Sequence, residues 1–405
     1  MGDALREKGA TEQPDLDAAE LADPLPANSG DTVKQPPPSR WKIAPHLDLR
    51  VTYDDNIFIQ PRGRVADYIF TAALGVTLGF WDYETRLERF LERERAASFI
   101  DKGPGNYLLF DYTGILLGFA RTDSQNAFDQ DASFDAQWHG EKLTLGLNAR
   151  FESKSEANVD VGGRVRRRAF NTALASRYQF TEKAGLEVGF YSEIYDPENY
   201  IRTVEWRNED YLDYQLTPVL RFGFGLAIGR VAVEAGQDQT FERVLGRVQY
   251  EVTEKVALGL RGGVEFRQFD GSNRDRVNPV FDLQVRYEPA AALRVGLDAF
   301  RRVVPSAAQP DQDYTATGFN VVLSPRIREG MRLSLEGGYQ VSDYMELANT
   351  QARTDHYFFV RSRLLYNFAS WGNAALGYEH RENNSSRAAS GFDNNQVSLQ
   401  TSLMY

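Results

Sequence analysis

The chain has 405 residues, no cysteine, 33 glycines, 25 phenylalanines, 20 tyrosines and a formal net charge of −11. The missing thiols exclude disulfides and thiolate metal sites, the acidic balance argues against a nucleic-acid partner, and no stretch approaches the roughly 20 apolar residues of a membrane-spanning helix. A transmembrane β-barrel stays open despite the negative mean hydropathy, because only alternate residues of each strand then meet lipid.

Residues 1–42 are acidic and then proline-rich, with Pro24, Pro26, Pro36, Pro37 and Pro38 and few large apolar side chains. The expectation is a disordered tail, either an inert spacer or a periplasmic tether. Met1 to Ala10 lacks the apolar core of a secretory signal, so a barrel reading implies that a leader has been removed or the start trimmed; taken literally, the same start describes a cytoplasmic protein.

From residue 43 to 405 the period is two. Leu47, Leu49, Val51 and Tyr53 alternate with Asp48, Arg50 and Thr52. The pattern breaks at Glu84–Ala97, where dense charge and Leu87, Phe90 and Leu91 at helical spacing predict a short amphipathic helix within 84–103, on the short-turn rim or in the mouth. It is a connecting helix, a partial plug or a docking surface. Alternation resumes, clearest in Phe281, Leu283, Val285 and Tyr287, in Leu333, Leu335 and Tyr339, and in Val397, Leu399, Thr401, Leu403 and Tyr405. Soluble sandwiches alternate too.

Turn lengths help to decide between them. Tight turns are expected at His139–Lys142, Thr181–Ala184, Leu226–Gly229, Thr253–Lys255, Pro289–Ala291, Arg328–Met331 and Ser370–Asn373. Longer polar loops are expected at Lys154–Arg166, Asp196–Glu209, Pro305–Asp313, Met345–Thr354 and Glu382–Asp393. Short turns on one rim and long loops on the other describe an all-β, up-and-down antiparallel transmembrane barrel. Strands begin near 44, 67, 107, 129, 142, 167, 184, 210, 229, 240, 256, 277, 292, 314, 332, 355, 374 and 394, about 18 in all. Sixteen is the alternative, because 210–240 contains Pro218, which cannot donate to a ladder, and nearly no loop at Gln239 and Thr240. Tyr178, Phe180, Tyr250, Tyr287, Tyr366, Phe368 and the terminal Tyr405 recur just before short turns, where an interfacial aromatic girdle is required.

The polar face is rich in arginine: Arg50, Arg150, Arg177, Arg221, Arg243, Arg247, Arg261, Arg267, Arg286, Arg294, Arg332, Arg361 and Arg363. Asp48, Glu152, Glu187, Asp213, Glu251, Glu265, Asp282, Asp298 and Glu336 share it. Cross-strand ion pairs lacing the wall are one reading; a ladder of guanidinium donors for a passing anion is the other. The basic run Gly162 to Arg168 belongs at the long-loop rim, where lipid phosphates and ligands are equal candidates. The glycine pair Gly223 and Gly225 reads as bends in a curved sheet. No catalytic residue, metal site or cofactor site is assigned; His46, His139, His356 and His380 are scattered, and His380 with Glu382, Ser385 and Ser386 is the one rim cluster a barrel hydrolase would use.

The run Leu49-Arg50-Val51-Thr52-Tyr53-Asp54-Asp55-Asn56-Ile57-Phe58, then Asp67-Tyr68-Ile69-Phe70 and Leu74-Gly75-Val76, resembles the opening of outer-membrane β-barrel porins associated with exopolysaccharide synthesis and export. The Thr-Glu-Lys hairpins and Gly263-Val264-Glu265-Phe266-Arg267 are similar to that group as well. The resemblance implies a barrel in a bacterial outer membrane and a passive conduit, the favoured cargo being an anionic exopolysaccharide or another polar solute. Its implied partners are outer-membrane lipids, lipopolysaccharide and periplasmic polysaccharide-export proteins, with the oligomeric state open. The alternative function is a closed structural or adhesive barrel that binds surface glycans or lipopolysaccharide.

Overall fold

The computed structural model describes residues 41–81 and 106–404, apart from 254, 272–274, 291 and 346–351. The expected helix at 84–103, most of the tail and Tyr405 lie outside these residues.

Strands fill nearly all of the described chain. In order they are β1 (Trp41–Asp54), β2 (Asp67–Trp81), β3 (Tyr107–Phe119), β4 (Ala127–His139), β5 (Leu143–Asn158) and β6 (Gly163–Gln179). Next come β7 (Ala184–Pro197), β8 (Thr203–Thr217), β9 (Leu220–Val233), β10 (Gln239–Thr253), β11 (Val256–Phe269) and β12 (Arg276–Ala290). The last six are β13 (Leu293–Pro305), β14 (Asp313–Arg328), β15 (Met331–Tyr344), β16 (Thr354–Ala369), β17 (Gly372–Ser385) and β18 (Phe392–Met404). Each pairs antiparallel with the next, and β1 pairs with β18, so one sheet of 18 strands closes on itself. Closure leaves no edge with unpaired backbone groups, which a barrel in hydrocarbon must achieve. A strand of 14 residues tilted by about 40° climbs roughly 35 Å, more than the apolar band of about 25 Å.

The first barrel strand begins at Trp41, two residues ahead of the expected boundary. The expected turn at Leu226–Gly229 is corrected: these residues lie inside β9, and the turn is Pro218–Val219, between β8 and β9. Pro218 therefore never faces the ladder, and the count is 18 rather than 16. The glycines of β9 imitate a turn because they supply small residues on the inward face while Phe222, Phe224, Leu226 and Ile228 stay exposed outside. The loops expected at 154–166 and 196–209 shrink to 159–162 and 198–202, since β5, β6 and β8 run on above the hydrocarbon level. There both faces of a strand are polar, and alternation no longer marks it.

The β1–β2 loop shows what the Asp54-Asp55-Asn56 motif does. Asn394 Nδ2 and Gln396 Nε2 donate to the Asp54 carboxylate at 2.6 and 2.8 Å, and the Asn395 backbone and side-chain amides donate to Asp55 at 2.7 and 2.8 Å. Asn56 Nδ2 donates to the Asp393 and Gln60 carbonyls. The motif clasps the first strand to the last, at the seam that closes the barrel.

Candidate functional site

Register assigns every wall residue to one of two faces, because directly paired residues share a face. Leu49, Leu74, Leu116, Leu174, Leu226 and Leu399 are exposed and form the outer, apolar surface. On the opposite face lie all the arginines proposed from the sequence. Arg50 pairs with Gln400 and Arg150 with Ser133; Arg177 pairs with Glu187, Arg221 with Gln215 and Arg243 with Glu265. Arg247 pairs with Gly223, Arg261 with Asp282, Arg267 with Arg276, Arg286 with Gly296 and Arg294 with Ser324. Arg332 pairs with Leu365, Arg361 with Glu379 and Arg363 with Gly377.

Aromatic side chains ring the outer surface near the short turns. Tyr178, Phe180, Tyr250, Tyr287, Tyr366 and Phe368 are exposed there, joined by Trp41, Trp138, Tyr214 and Trp371, which the turn-relative pattern missed because three of them lie at a strand end or in a turn. Tyr178 stacks edge-on against Phe180 at 5.4 Å, as Phe368 does against Trp371 at 5.7 Å. A closed barrel with an apolar belt, an aromatic edge and a charged interior is the one sheet architecture that satisfies every backbone group in lipid. The chain is an outer-membrane β-barrel.

Its lumen is laced by ion pairs. Arg243 and Arg267 share Glu265, at 2.7 and 2.8 Å; Arg267 also reaches Asp313, and Gln239 Nε2 donates to the same carboxylate. Arg247 binds Glu187 and Asp213 together, at 3.0 and 2.5 Å, and its guanidinium lies 3.9 Å from the Tyr211 ring centroid. Arg361 bridges Glu336 and Glu379; Arg150 bridges Asp131 and Glu152. Such side chains need floor space, which the glycines of β9 provide: a Cβ on Gly225 would strike the Tyr211 ring, and one on Gly229 the Phe241 ring and, at 2.7 Å, the Trp206 carbonyl. Gly223 and Gly225 are thus a shelf for neighbouring side chains, not bends. Gly229→Leu is expected to displace Phe241 and lower the folded fraction severalfold, measured as the heat-shifted band on a denaturing gel.

Charge is unevenly distributed around the circumference. Asp111, Asp129, Asp131 and Asp135 face inward from β3 and β4, and Asp111 is bonded by the hydroxyls of Thr77 and Thr113. Across the barrel, Arg286, Arg294, Arg326 and Arg332 face inward from β12 to β15, together with Asp282, Asp298 and Glu336.

The long-loop mouth is crossed by the tip of the β5–β6 hairpin, whose sequence reads as a polar loop. Val159 packs with Ile59, Tyr357, Phe359 and Phe392, while Val161 packs on the cluster of Tyr195, Val304, Ala307, Tyr314 and Tyr344. Between them Asp160 is fully enclosed. Ser306 Oγ donates at 3.1 Å, Tyr344 Oη at 2.9 Å and the Ala307 and Ala308 amides at 2.8 and 3.3 Å; Arg353 lies 3.9 Å away and donates to the Val159 and Asp160 carbonyls. Of these partners, Ser306 to Ala308 follow β13, Tyr344 ends β15 and Arg353 precedes β16, about half the circumference from β5 and β6, so the tip spans the opening. Burial pushes the Asp160 carboxyl above the ordinary carboxylate range, against the opposing pull of Arg353 and the surrounding donors.

The basic run divides. Arg167 is buried on Glu152 and Glu156, Arg164 lies over the Phe119 ring, and Arg168 pairs with Asp196 outside. The rim cluster around His380 does not converge: His380 faces outward, its Nδ1 3.0 Å from Asn395 Oδ1, and Ser385 lies on the other face.

No protein-family model matches the sequence, and comparison with curated proteins returns no match. Among solved structures the chain is similar to Pseudomonas aeruginosa OpdO, at TM-score 0.47 and 14% identity over 89% of this chain and 97% of that one. Acinetobacter baumannii OccAB4 gives 0.46 and 12% over 90% and 98%, and P. aeruginosa OpdK with vanillate gives 0.44 and 11% over 90% and 99%.

Proposed function

We propose that the barrel is a passive conduit for small polar solutes, carboxylates favoured, through a lumen whose outer mouth is gated by the β5–β6 tip. The observation that carries this reading is the inner face, where charged side chains recur on most strands inside an apolar shell. Such side chains offer a solute hydrogen-bonding partners, whereas an impermeable scaffold gains as much from an apolar core. A tip that crosses the mouth favours a small solute over the exopolysaccharide chain that the sequence resemblance suggested.

Planar-bilayer recording tests the proposal. Ion conductance, a reversal potential displaced toward chloride in a KCl gradient, and faster liposome swelling in glucuronate than in glucose are the expected results. A correctly folded barrel with no conductance, or with cation preference, overturns it. The interlocked ion pairs and the crossed mouth favour a closed adhesive barrel as the second reading. Lack of conductance even after the Asp160 contacts are removed would support that reading.

A further inference from the structure

We propose that the lumen holds a binding site for one small oxyanion, a carboxylate or phosphate, at Arg177 and Arg221 near the short-turn rim. The proposal rests on the conduit reading only for its purpose; the site itself follows from the charges.

Five inward residues on consecutive strands meet there: Arg177 on β6, Glu187 on β7, Asp213 on β8, Arg221 on β9 and Arg247 on β10. Three guanidiniums face two carboxylates. Arg247 engages both of them, donating from Nη1 and Nη2 to Glu187 at 3.1 and 3.0 Å and from Nε to Asp213 at 2.9 Å. Arg177, more than nine-tenths buried, keeps one bond, Nη2 to Asp213 at 3.1 Å, with Nη1 left 3.9 Å from Glu187. Arg221 finds a neutral partner, Gln215, whose Oε1 accepts from Nε at 2.9 Å and from Nη2 at 2.7 Å.

Nη1 of Arg177 and Nη1 of Arg221 are both buried without a hydrogen-bond acceptor. The inward acid next along β10, Glu251, is exposed toward the rim. One positive charge is therefore in surplus, with two unsatisfied donors in the same cluster. A buried cation with an unused donor is costly until an acceptor arrives, and a planar or tetrahedral oxyanion offers the two oxygens that two guanidiniums require. A monovalent halide offers a single centre and suits the pair less well.

Calorimetric titration of inorganic phosphate, and separately of acetate, into the detergent-solubilised barrel is the test. One saturable site per chain is expected for the parent protein. Arg221→Gln should weaken it at least tenfold. Gln215→Glu should weaken it equally, because it gives Arg221 a carboxylate of its own while every cation stays in place; this variant keeps the test valid if Arg221→Gln does not fold. Saturable binding that both variants retain, or no saturable binding by the parent, overturns the site. The conduit reading is judged apart from this, by KCl conductance: a conducting parent without phosphate binding loses the site and keeps the conduit.

Discussion

Replacing Asp160 with Ala is expected to raise the mean conductance severalfold and to replace a steady current with frequent large openings. The carboxylate collects two hydroxyl and two amide donors and lies near Arg353. Removing the acceptor leaves these groups unpaired in a closed site, a loss of about 3 kcal/mol, roughly a hundredfold in the ratio of released to latched tip. Single-channel recording reads it directly, and unchanged conductance would mean that the tip does not limit flow. The pH dependence has a definite sign. Latched Asp160 titrates above the ordinary carboxylate range because burial disfavours its charge, while a released, hydrated Asp160 titrates within it. Between those two values the latched form binds more protons, so acidification stabilises the closed mouth. Conductance should fall as pH drops through that window, and Asp160→Asn should flatten the response.

The second large effect concerns Arg247. Arg247→Leu leaves Glu187 and Asp213 without the group that neutralises both, and a buried pair broken on one side costs about 3–5 kcal/mol. A lower urea midpoint of the refolded barrel is the expected measurement. The triple replacement Arg247→Leu, Glu187→Leu and Asp213→Leu should recover most of the loss, because no uncompensated charge remains. If the single and triple variants are equally unstable, shape at this position matters more than charge.

Much of this barrel was legible because lipid imposes a strict period of two. That period put every proposed arginine on the inward face, placed Tyr178, Tyr250, Tyr287 and Tyr366 outside, and located most short turns within a residue or two. It failed where the physical cause of alternation stops. Above the hydrocarbon, β5 and β6 are polar on both faces, and their sequence reads as a loop. Along β9 the inward residues are glycines shaped by Tyr211, Phe241 and Arg247 on neighbouring strands, a three-strand relationship with no local trace. The latch was equally hidden: Asp160 and Tyr344 are 184 residues apart, and nothing in the run Asn158-Val159-Asp160-Val161 announces that it is buried. The ion pairs are of the same kind, since spacing shows that Arg247 faces inward and cannot show that it takes two acids.

The gated conduit is tested most directly by tethering the tip. The chain contains no cysteine, so Asp160→Cys with Ser306→Cys introduces a single pair where the two side chains already meet at 3.1 Å. Oxidised, this variant should pass little current in a planar bilayer; reduced, with both the disulfide and the carboxylate gone, it should pass severalfold more. Equal current in the two states would contradict the account.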